Sequence, residues 1–417
     1  MVLSLDVPFS AYGASPSIAN AVADLLTYAD YTGPTPISPQ TIFRGFTRGD
    51  LIGPYISQFL YLGSRDYLTT PNSGFITYGT LRISQRQLTI RPSPCSTFVI
   101  SYPDWLKVEN GITLPPAPCP APPPLPLDPC GNHYDVIRRF IRNLRDLANY
   151  VHFDDLPQEF WNAALILQHL DVPCRAMPRG PVDQGSPYRP ISPPGITPPQ
   201  PRQEGFGTLG DPNLLARIGE VTTRALKACW FQKWFVHRRL RPEEFGALIH
   251  KHLTGIATYP INSQITGAPG SVFGQVNARF GSYLLPQVYP EGSPLHPSYP
   301  SGHATIAGAC VTILKAWFDE SFVITNPVIP NTTGTALNLY VAPPNEPPLT
   351  VGNELDKLAS NISIGRNAAG VHYRSDYMQG LLLGEQVAIG LLEEQKATYN
   401  ESFSFTLTMF NGNGITI

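Results

Sequence analysis

Apolar side chains recur at intervals of three and four residues along several long stretches of this 417-residue chain. That spacing places them on one face of an α-helix, so each stretch predicts a helix with one buried side. A shorter stretch, residues 75–92, alternates apolar and polar side chains as a β-hairpin does. We therefore predict a mainly α fold, a helical bundle with long loops and a few short β-hairpins. The helical stretches are residues 134–170, 211–240, the run that begins after Gly302, and 377–399.

Proline separates these stretches. Many of the 45 prolines are concentrated in two tracts, 114–129 and 179–203, where the fixed backbone angle and the missing N–H exclude a helix. Both tracts are predicted to be surface loops or extended spacers. The length of the chain allows one large domain or two moderate ones. We divide it into an N-terminal region, 1–133, with short strands and a proline-rich loop, packed on a helical core, 134–417.

The balance of charge excludes several classes of partner. The chain carries 29 basic and 31 acidic side chains, and its net charge of −2 gives no general attraction to nucleic acid or to an anionic membrane. No run of 18 apolar residues occurs, and the first residues lack the zones of a signal peptide, which leaves the compartment open. Six cysteines show no zinc-binding spacing, and Cys119 and Cys130 are equally compatible with a disulfide and with two free thiols.

Three segments place charged or polar side chains where a helical bundle normally buries apolar ones. The first carries a lysine and an arginine eight positions apart among aromatic residues; on one helix these would point within about 80° of each other. The second carries two histidines around a serine-glycine pair that opens an apolar helix, and the free N–H groups of a helix start favour an anion. The third carries an arginine and a histidine across a glycine-containing turn. In order, the residues are Lys233 and Arg241; His296, Ser301, Gly302 and His303; Arg366 and His372.

Each of these groups alone has a simpler explanation. Lys233 and Arg241 could extend along an amphipathic helix face into solvent. Ser301 could be a helix N-cap and His372 an ordinary core or surface histidine. Two histidines without a third ligand at metal spacing make a weak zinc site. Together, three cations and a helix start with few carboxylates nearby suit a tetrahedral oxyanion, because arginine binds oxygen pairs and lysine adds a point charge.

The ordered motif resembles the superfamily that joins vanadium-dependent haloperoxidases to type 2 phosphatidic-acid-type acid phosphatases. Its elements are K-x7-R-P at 233–242, P-S-G-H at 300–303 and R-x5-H-x3-D at 366–376. The resemblance covers most of residues 40–60 and 134–417 and implies the helical haloperoxidase fold. Gly365 stands where the phosphatase pattern has serine, and the intervals between the motifs are longer than in the phosphatases. Both features favour the peroxidase branch, and longer stretches such as "EGSPLHPSYPSGHATIAGACVTILKAWFD" look like bromoperoxidases of marine algae and cyanobacteria.

The resemblance also implies roles for the matched residues. His372 would bond vanadium, His303 would hydrogen-bond the apical hydroxide and act as acid and base, and His296 matches a second histidine typical of bromoperoxidases. Lys233 would also polarise the bound peroxide. The remaining oxygens of the vanadate would be held by Lys233, Arg241, Ser301, the Gly302 N–H and Arg366.

Three more positions lie around this set. Trp230 matches a position near the cofactor that bears on halide preference. Asp154, with Asp155 as the alternative register, matches a carboxylate that pairs with an active-site arginine. Asp376 closes the third motif.

We therefore expect a peroxidase that oxidises bromide and iodide with hydrogen peroxide to hypohalous acid, which halogenates organic compounds. The implied cofactor is vanadate, vanadium(V), without haem or flavin. The implied partners are small organic acceptors and further copies of the chain, as a homodimer or higher homo-oligomer. Two alternatives stay open. One is a phosphomonoesterase in which the His372 position attacks phosphorus, and the other is a non-catalytic oxyanion-binding protein.

Overall fold

The computed structural model describes residues 5–27, 36–64, 73–90, 96–115, 134–170, 207–266, 272–400 and 403–417. Within these ranges the chain is mainly helical and its strands are short, so the predicted fold class is confirmed. The helices are α1 (Pro16–Leu25), α2 (Tyr102–Glu109), α3 (Leu144–Phe153), α4 (Gln158–His169), α5 (Asp211–Phe231), α6 (Pro242–Leu253), α7 (Ser263–Thr266), α8 (Val272–Phe280), α9 (Gly302–Trp317), α10 (Val351–Ala368) and α11 (Arg374–Lys396).

The strands of the described residues form antiparallel pairs. β1 (Phe75–Tyr78) and β2 (Leu81–Ser84) make the hairpin predicted within 75–92. β3 (Gln87–Ile90) pairs with β4 (Tyr134–Arg139), so the prediction of a helix from residue 134 is wrong at its beginning. Strand preference depends strongly on a neighbouring strand, and here β3 supplies one from a distant part of the sequence. The other pairs are β5 (Val328–Pro330) with β6 (Leu337–Leu339), and β7 (Thr406–Thr408) with β8 (Gly414–Thr416).

The remainder of the stretch 134–170 is two helices rather than one. α3 ends at Phe153, and α4 begins after Pro157. Because proline has no N–H to continue a helix, it marks this break. The break places Asp154 at the C-terminal end of α3 and Glu159 in the first turn of α4. This corner faces the start of α9, since the Asp154 carboxylate contacts His303.

α9 is the central helix of the bundle. Every residue from Ala304 to Trp317 is buried, and the helix packs against α5, α10 and α11. A helix that is apolar on all sides is stable only when it packs against neighbours on all sides. The apolar sequence of α9 predicts this position. Leu5, Tyr12 and Ile18 belong to the same apolar core, so the N-terminal residues pack on the bundle.

Glycine allows α9 and α11 to approach closely. A Cβ atom on Gly384 of α11 would lie 2.0 Å from the carbonyl oxygen of Thr305, and one on Gly308 of α9 would lie 2.2 Å from that of Leu381. Neither contact can be relieved by turning a side chain, because both involve backbone oxygen. The two helices must therefore separate if either glycine gains a side chain.

Replacing Gly384 by alanine should lower the free energy of unfolding by at least about 2 kcal/mol, since overpacking a core forces backbone shifts. Gly390 lies on the same helix, and a Cβ there would meet no atom within 4 Å. Gly390→Ala should be neutral or slightly stabilising, because alanine is the better helix former. Chemical denaturation of both variants measures the difference, and equal stabilities would contradict the close approach.

Some predictions fall on residues that the structure does not describe. Nearly all of the tract 114–129 and all of the tract 179–203 lie outside the described residues, as do Cys119 and Cys130. Cys229 and Cys310, which are described, are buried free thiols. In the part of the chain that is described, no helix is long and apolar enough to cross a membrane.

Candidate active site

Lys233 and Arg241 lie on two different elements, which corrects the expectation of one helix face. α5 widens into a π-helical turn at Gln232–His237 and ends at Arg238, whose φ of 45° is left-handed. Arg241 is then the N-cap of α6, and Pro242 follows at the first helical position. A π-helical turn often marks a functional site, because it changes the direction of side chains within a helix. Here it brings the two cations to one pocket from two helices.

The Lys233 ammonium is buried and paired with neutral groups. Its Nζ donates to the carbonyl oxygens of Pro297, at 2.6 Å, and Ser298, at 3.0 Å. Both carbonyls belong to the loop that precedes α9. Uncharged acceptors satisfy two of the three protons without neutralising the charge. Lys233 therefore contributes a positive charge to the pocket.

Arg241 links the two histidines of the second and third motifs. Its Nη1 donates to the carbonyl oxygen of Val371, at 2.9 Å, and lies 3.0 Å from Nε2 of His372. Its Nη2 lies 3.0 Å from Nδ1 of His296, and its Nε donates to the carbonyl oxygen of His296 at 2.8 Å. The guanidinium is 2 % exposed and has neutral acceptors around it. It fixes both imidazole rings at the wall of the pocket.

Asp376 holds the other side of His372. Nδ1 of His372 lies 3.0 Å from Oδ2 of Asp376. The same carboxylate accepts from the Tyr373 N–H at 2.9 Å and from the Ser298 hydroxyl, and it pairs with Arg239 at 3.1 Å. A carboxylate behind Nδ1 keeps the proton there and leaves the Nε2 lone pair to bind a metal.

Arg366 reaches the pocket from the last turn of α10. Its Nη1 donates to the carbonyl oxygen of Val151, at 2.9 Å, and to the hydroxyl of Tyr289, at 3.2 Å. Its Nε is buried, and among the described residues no acceptor contacts it. A buried guanidinium N–H without an acceptor is costly, so this group is suited to an additional anionic oxygen.

The start of α9 supplies Ser301, Gly302 and His303. Ser301 is the N-cap, fully buried, and its N–H donates to the carbonyl oxygen of Asp376 at 3.0 Å. His303 lies in the first turn, with Nε2 3.1 Å from Oδ1 of Asp154. The resemblance implies an arginine partner for Asp154. The structure gives it His303 as hydrogen-bonding partner, and the charge of Arg366 also acts on it and lowers its pKa.

Trp230 lies on the solvent side of the same pocket. Its ring centre is 4.8 Å from that of His296, and the side chain is partly exposed. It therefore covers His296 without contacting the buried cations in any hydrogen bond. The structure thus brings residues of all three sequence motifs to one pocket, together with Asp154 and Trp230.

Several residues of the site were not predicted from the sequence. Tyr289 and Ser298 contact Arg366 and Asp376, and Arg239 pairs with Asp376. Ser298 lies between His296 and the second motif, and Arg239 lies between two residues of the first, so proximity in sequence is a usable signal for both. Tyr289 offers no such signal, because only the folded chain brings it to α10.

Burial and like charge shift the protonation of these groups. Burial is the main cause that lowers the pKa of Lys233 to about 7 and that of Arg241 to about 10. Burial, and then the charges of Arg241 and Lys233, lower the pKa of His296 to about 3 and also lower the pKa of His372. Each shift disfavours a positive charge, which means that the pocket is electrostatically unfavourable until an anion enters it.

Known proteins with similar sequences identify the family. Residues 214–401 match the family model described as the VCPO second helical-bundle domain. A vanadium-dependent bromoperoxidase of Ascophyllum nodosum is 32% identical over 99% of this chain and 69% of its own length. The chain belongs to the vanadium-dependent haloperoxidase family.

Other vanadium haloperoxidases support the assignment. Vanadium-dependent bromoperoxidases of Corallina officinalis and Corallina pilulifera are each 38% identical over 90% of this chain, which spans 62% of their length. Among solved structures, the homohexameric second vanadate-dependent bromoperoxidase of Ascophyllum nodosum matches with a TM-score of 0.80 and 27% identity. That match covers 100% of this chain and 68% of the other. The resemblance seen in the sequence motifs is confirmed.

The lowered pKa of Lys233 predicts how this haloperoxidase pocket binds anions as the pH changes. When the pH rises through about 7, Lys233 loses its proton and the pocket loses a positive charge. We expect the affinity for sulfate, whose own charge is constant in this range, to fall about 10-fold between pH 6.5 and 8.5. By linkage, binding near pH 8 should take up a proton.

Calorimetry in buffers of different ionisation enthalpy measures the number of protons that the protein takes up when sulfate binds. Lys233→Met should bind sulfate more weakly, with little dependence on pH, whereas Lys227→Met should behave like the unmodified protein because Lys227 is exposed. The assignment to Lys233 would be wrong if Lys233→Met kept the proton uptake.

Proposed function

We propose that this chain is a vanadium-dependent bromide peroxidase, which oxidises bromide with hydrogen peroxide to hypobromous acid. One observation carries the proposal: three buried cations, Lys233, Arg241 and Arg366, face a pocket in which their described hydrogen-bond partners are uncharged. Buried charges are usually paired, so this arrangement requires an anion. The bromoperoxidase relatives, which are named vanadium-dependent, indicate which anion.

The residues of the pocket fit orthovanadate as cofactor. An imidazole nitrogen whose partner nitrogen is fixed by a carboxylate is a good metal ligand, and His372 with Asp376 provides one. The unpartnered Nε of Arg366 and the guanidinium of Arg241 suit the oxygens of a tetrahedral or five-coordinate oxyanion. Ser301 and the N–H of Gly302, at the start of α9, are further donors for it. When bound, vanadium(V) supplies Lewis-acid activation of hydrogen peroxide without a change in its oxidation state.

The protein residues then control charge and protons. Lys233 would donate a hydrogen bond to a peroxide oxygen and so make the O–O bond easier for bromide to attack. His303 would take a proton from hydrogen peroxide as it binds and return it later in the cycle. The net reaction, H2O2 + Br⁻ + H⁺ → HOBr + H2O, consumes one proton for each turnover. A group that exchanges protons beside the cofactor is therefore needed, and we assign that role to His303.

His296 and Trp230 are assigned to the halide side. His296 stays neutral because burial, and then the charges of the neighbouring cations, lower its pKa. Its ring lies between the Arg241 guanidinium and the Trp230 indole. A neutral imidazole next to a cation carries no negative charge, so it does not repel a bromide or iodide ion that binds there. Small organic acceptors would be halogenated by the released hypohalous acid.

We also propose that the chain works as a homo-oligomer. The solved Ascophyllum relative is homohexameric. On this chain, aromatic side chains at the end of α5 are exposed, among them Phe231 at 55 % and Phe235 at 73 %. An exposed apolar patch of this kind is typical of a protein interface. A mass measurement in solution tests it.

Halogenation of a phenol-type dye decides between the peroxidase and its alternatives. We expect vanadate-stripped protein to regain dye bromination when orthovanadate is added, only with bromide and peroxide present. Hydrolysis of a phosphomonoester by stripped protein, with no gain in bromination after vanadate addition, would indicate the phosphatase. Anion binding without turnover in either assay would indicate a binding protein.

A further inference from the structure

A second buried carboxyl group lies behind the His303–Asp154 pair. Glu159, in the first turn of α4, is 1 % exposed, and its carboxyl group lies close enough to that of Asp154 for each to shift the pKa of the other. Among the described residues, neither Oδ2 of Asp154 nor either oxygen of Glu159 accepts a hydrogen bond from another residue. Three buried oxygens of the two carboxyl groups therefore lack a donor from a neighbouring side chain or backbone.

A proton on one of the carboxyl groups gives two of these oxygens a partner. Two carboxylates close together repel each other strongly, and a buried unpaired carboxylate is costly. When one carboxyl is protonated, its O–H donates to the other, and the repulsion between two charges is removed. The arrangement thus favours a carboxylic acid next to a carboxylate.

The surroundings decide which carboxyl holds the proton. Burial would raise the pKa of Asp154, but the charge and hydrogen bond of His303, the Glu159 hydrogen bond and the charge of Arg366 outweigh it, and the pKa is lowered. Burial and then the Asp154 charge raise the pKa of Glu159 well above its usual value. Asp154 is therefore the carboxylate and Glu159 the acid.

Among the described residues, the charges that act most strongly on Glu159 are those of Asp154 and Asp155, and both oppose its ionisation. Its titratable neighbours are Tyr150 on α3, Asp154 and Asp155 in the loop, and Cys310 on α9. The start of a helix favours a negative charge, but here burial and two nearby aspartates act against it.

We propose that Glu159, in its protonated form, is a positioning residue for His303: it donates a hydrogen bond to Oδ2 of Asp154 and so holds the carboxylate with Oδ1 directed at the Nε2 proton of His303. This inference rests on the proposed function, because it assigns Glu159 to the residue that exchanges protons. With Nε2–H directed at Asp154, Nδ1 is the nitrogen that is available to the reaction. A histidine whose tautomer is fixed in this way can act as acid and base in one defined direction.

Infrared spectroscopy of vanadate-free protein tests the proton on Glu159 directly. The difference spectrum between the unmodified protein and Glu159→Gln at neutral pH should contain the C=O band of a protonated carboxyl group. Asp155→Asn is the control, since Asp155 is exposed and should remove only a carboxylate band. Absence of the protonated band from the Glu159 difference would overturn the proposal, whether or not the protein oxidises bromide.

Nitrogen NMR of histidine in the same vanadate-free protein tests the effect on His303. Glu159→Gln keeps a donor for Asp154 and should keep the Nε2–H tautomer, whereas Glu159→Leu removes the donor and should give a mixture of tautomers. In bromide oxidation, Glu159→Leu should lower kcat about 10-fold and shift the pH profile, while Glu159→Gln should restore most of both.

These arms separate the two proposals. A protein without bromide oxidation, but with the infrared band and the tautomer change, would contradict the peroxidase and not the role of Glu159. If Glu159→Leu does not fold, the role of Glu159 is decided by the infrared band and by the His303 tautomer in Glu159→Gln. A folded Glu159→Leu with an unchanged tautomer and pH profile would overturn the role.

Discussion

Replacing Lys233 by alanine should lower the kcat of bromide oxidation about 100- to 1,000-fold while the fold stays intact. Removing one preorganised donor from the charge that develops in a transition state typically costs that much. Lys233 is fully buried, and its Nζ contacts two loop carbonyls, so no other cation can move into its place without rebuilding that loop. Steady-state kinetics with saturating vanadate isolates the catalytic effect from weaker cofactor binding.

Two comparisons make the result specific to Lys233. Lys227→Ala removes an exposed lysine from the same helix and should change kcat less than about twofold. Circular dichroism and the unfolding midpoint show whether Lys233→Ala is folded. A folded Lys233→Ala that oxidises bromide at the unmodified rate would contradict the role assigned to this ammonium group.

The sequence is sufficient to predict the helical fold class and the central buried helix. α9 is apolar on nearly every side, so its central position follows from its composition alone. Residues of each motif lie close to the start or the end of a helix. At such positions the local sequence helps to determine the direction in which a side chain points. Their order along the chain then identifies the family before any contact is known.

Geometry that depends on distant partners was not predictable in the same way. A spacing of eight residues suits one continuous helix, and the local sign of its division into α5, a π-helical turn and α6 is Pro242, which disfavours a helical conformation at Arg241. β4 was assigned to a helix because its partner strand, β3, lies about 45 residues earlier. Local preference is a weak guide in both places, since the tertiary contact decides the conformation.

The electrostatic partners show the same limit. Asp154 was assigned an arginine by resemblance, and its contact with His303 emerges only when the corner between α3 and α4 meets the start of α9. Glu159 gave no signal at all, because a glutamate in the first turn of a helix is the ordinary expectation. Its importance comes from burial, which no local pattern around it indicates.

Replacing His372 by alanine should abolish tight vanadate binding and, with it, bromide oxidation. The other residues of the pocket offer hydrogen bonds and charge, which an oxyanion such as phosphate can also use, but they offer no metal–nitrogen bond. We therefore expect His372→Ala to lose vanadate affinity at least about 100-fold while its affinity for sulfate changes only a few-fold. Vanadium NMR and calorimetry with both anions measure the two effects separately.

A substitution of the residue that holds His372 should have a smaller effect on vanadate affinity than the loss of His372 itself. Asp376→Asn replaces the carboxylate behind Nδ1 by an amide, so the fixed orientation and tautomer of the ring are weakened. Vanadate affinity should then fall about 10-fold, less than in His372→Ala. His250→Ala removes another buried histidine, which lies in the last turn of α6 and accepts a hydrogen bond from the Tyr283 N–H, and this variant should bind vanadate normally. Equal losses of vanadate and sulfate in His372→Ala would mean that His372 acts through charge or packing, and that vanadium is not bound at its Nε2.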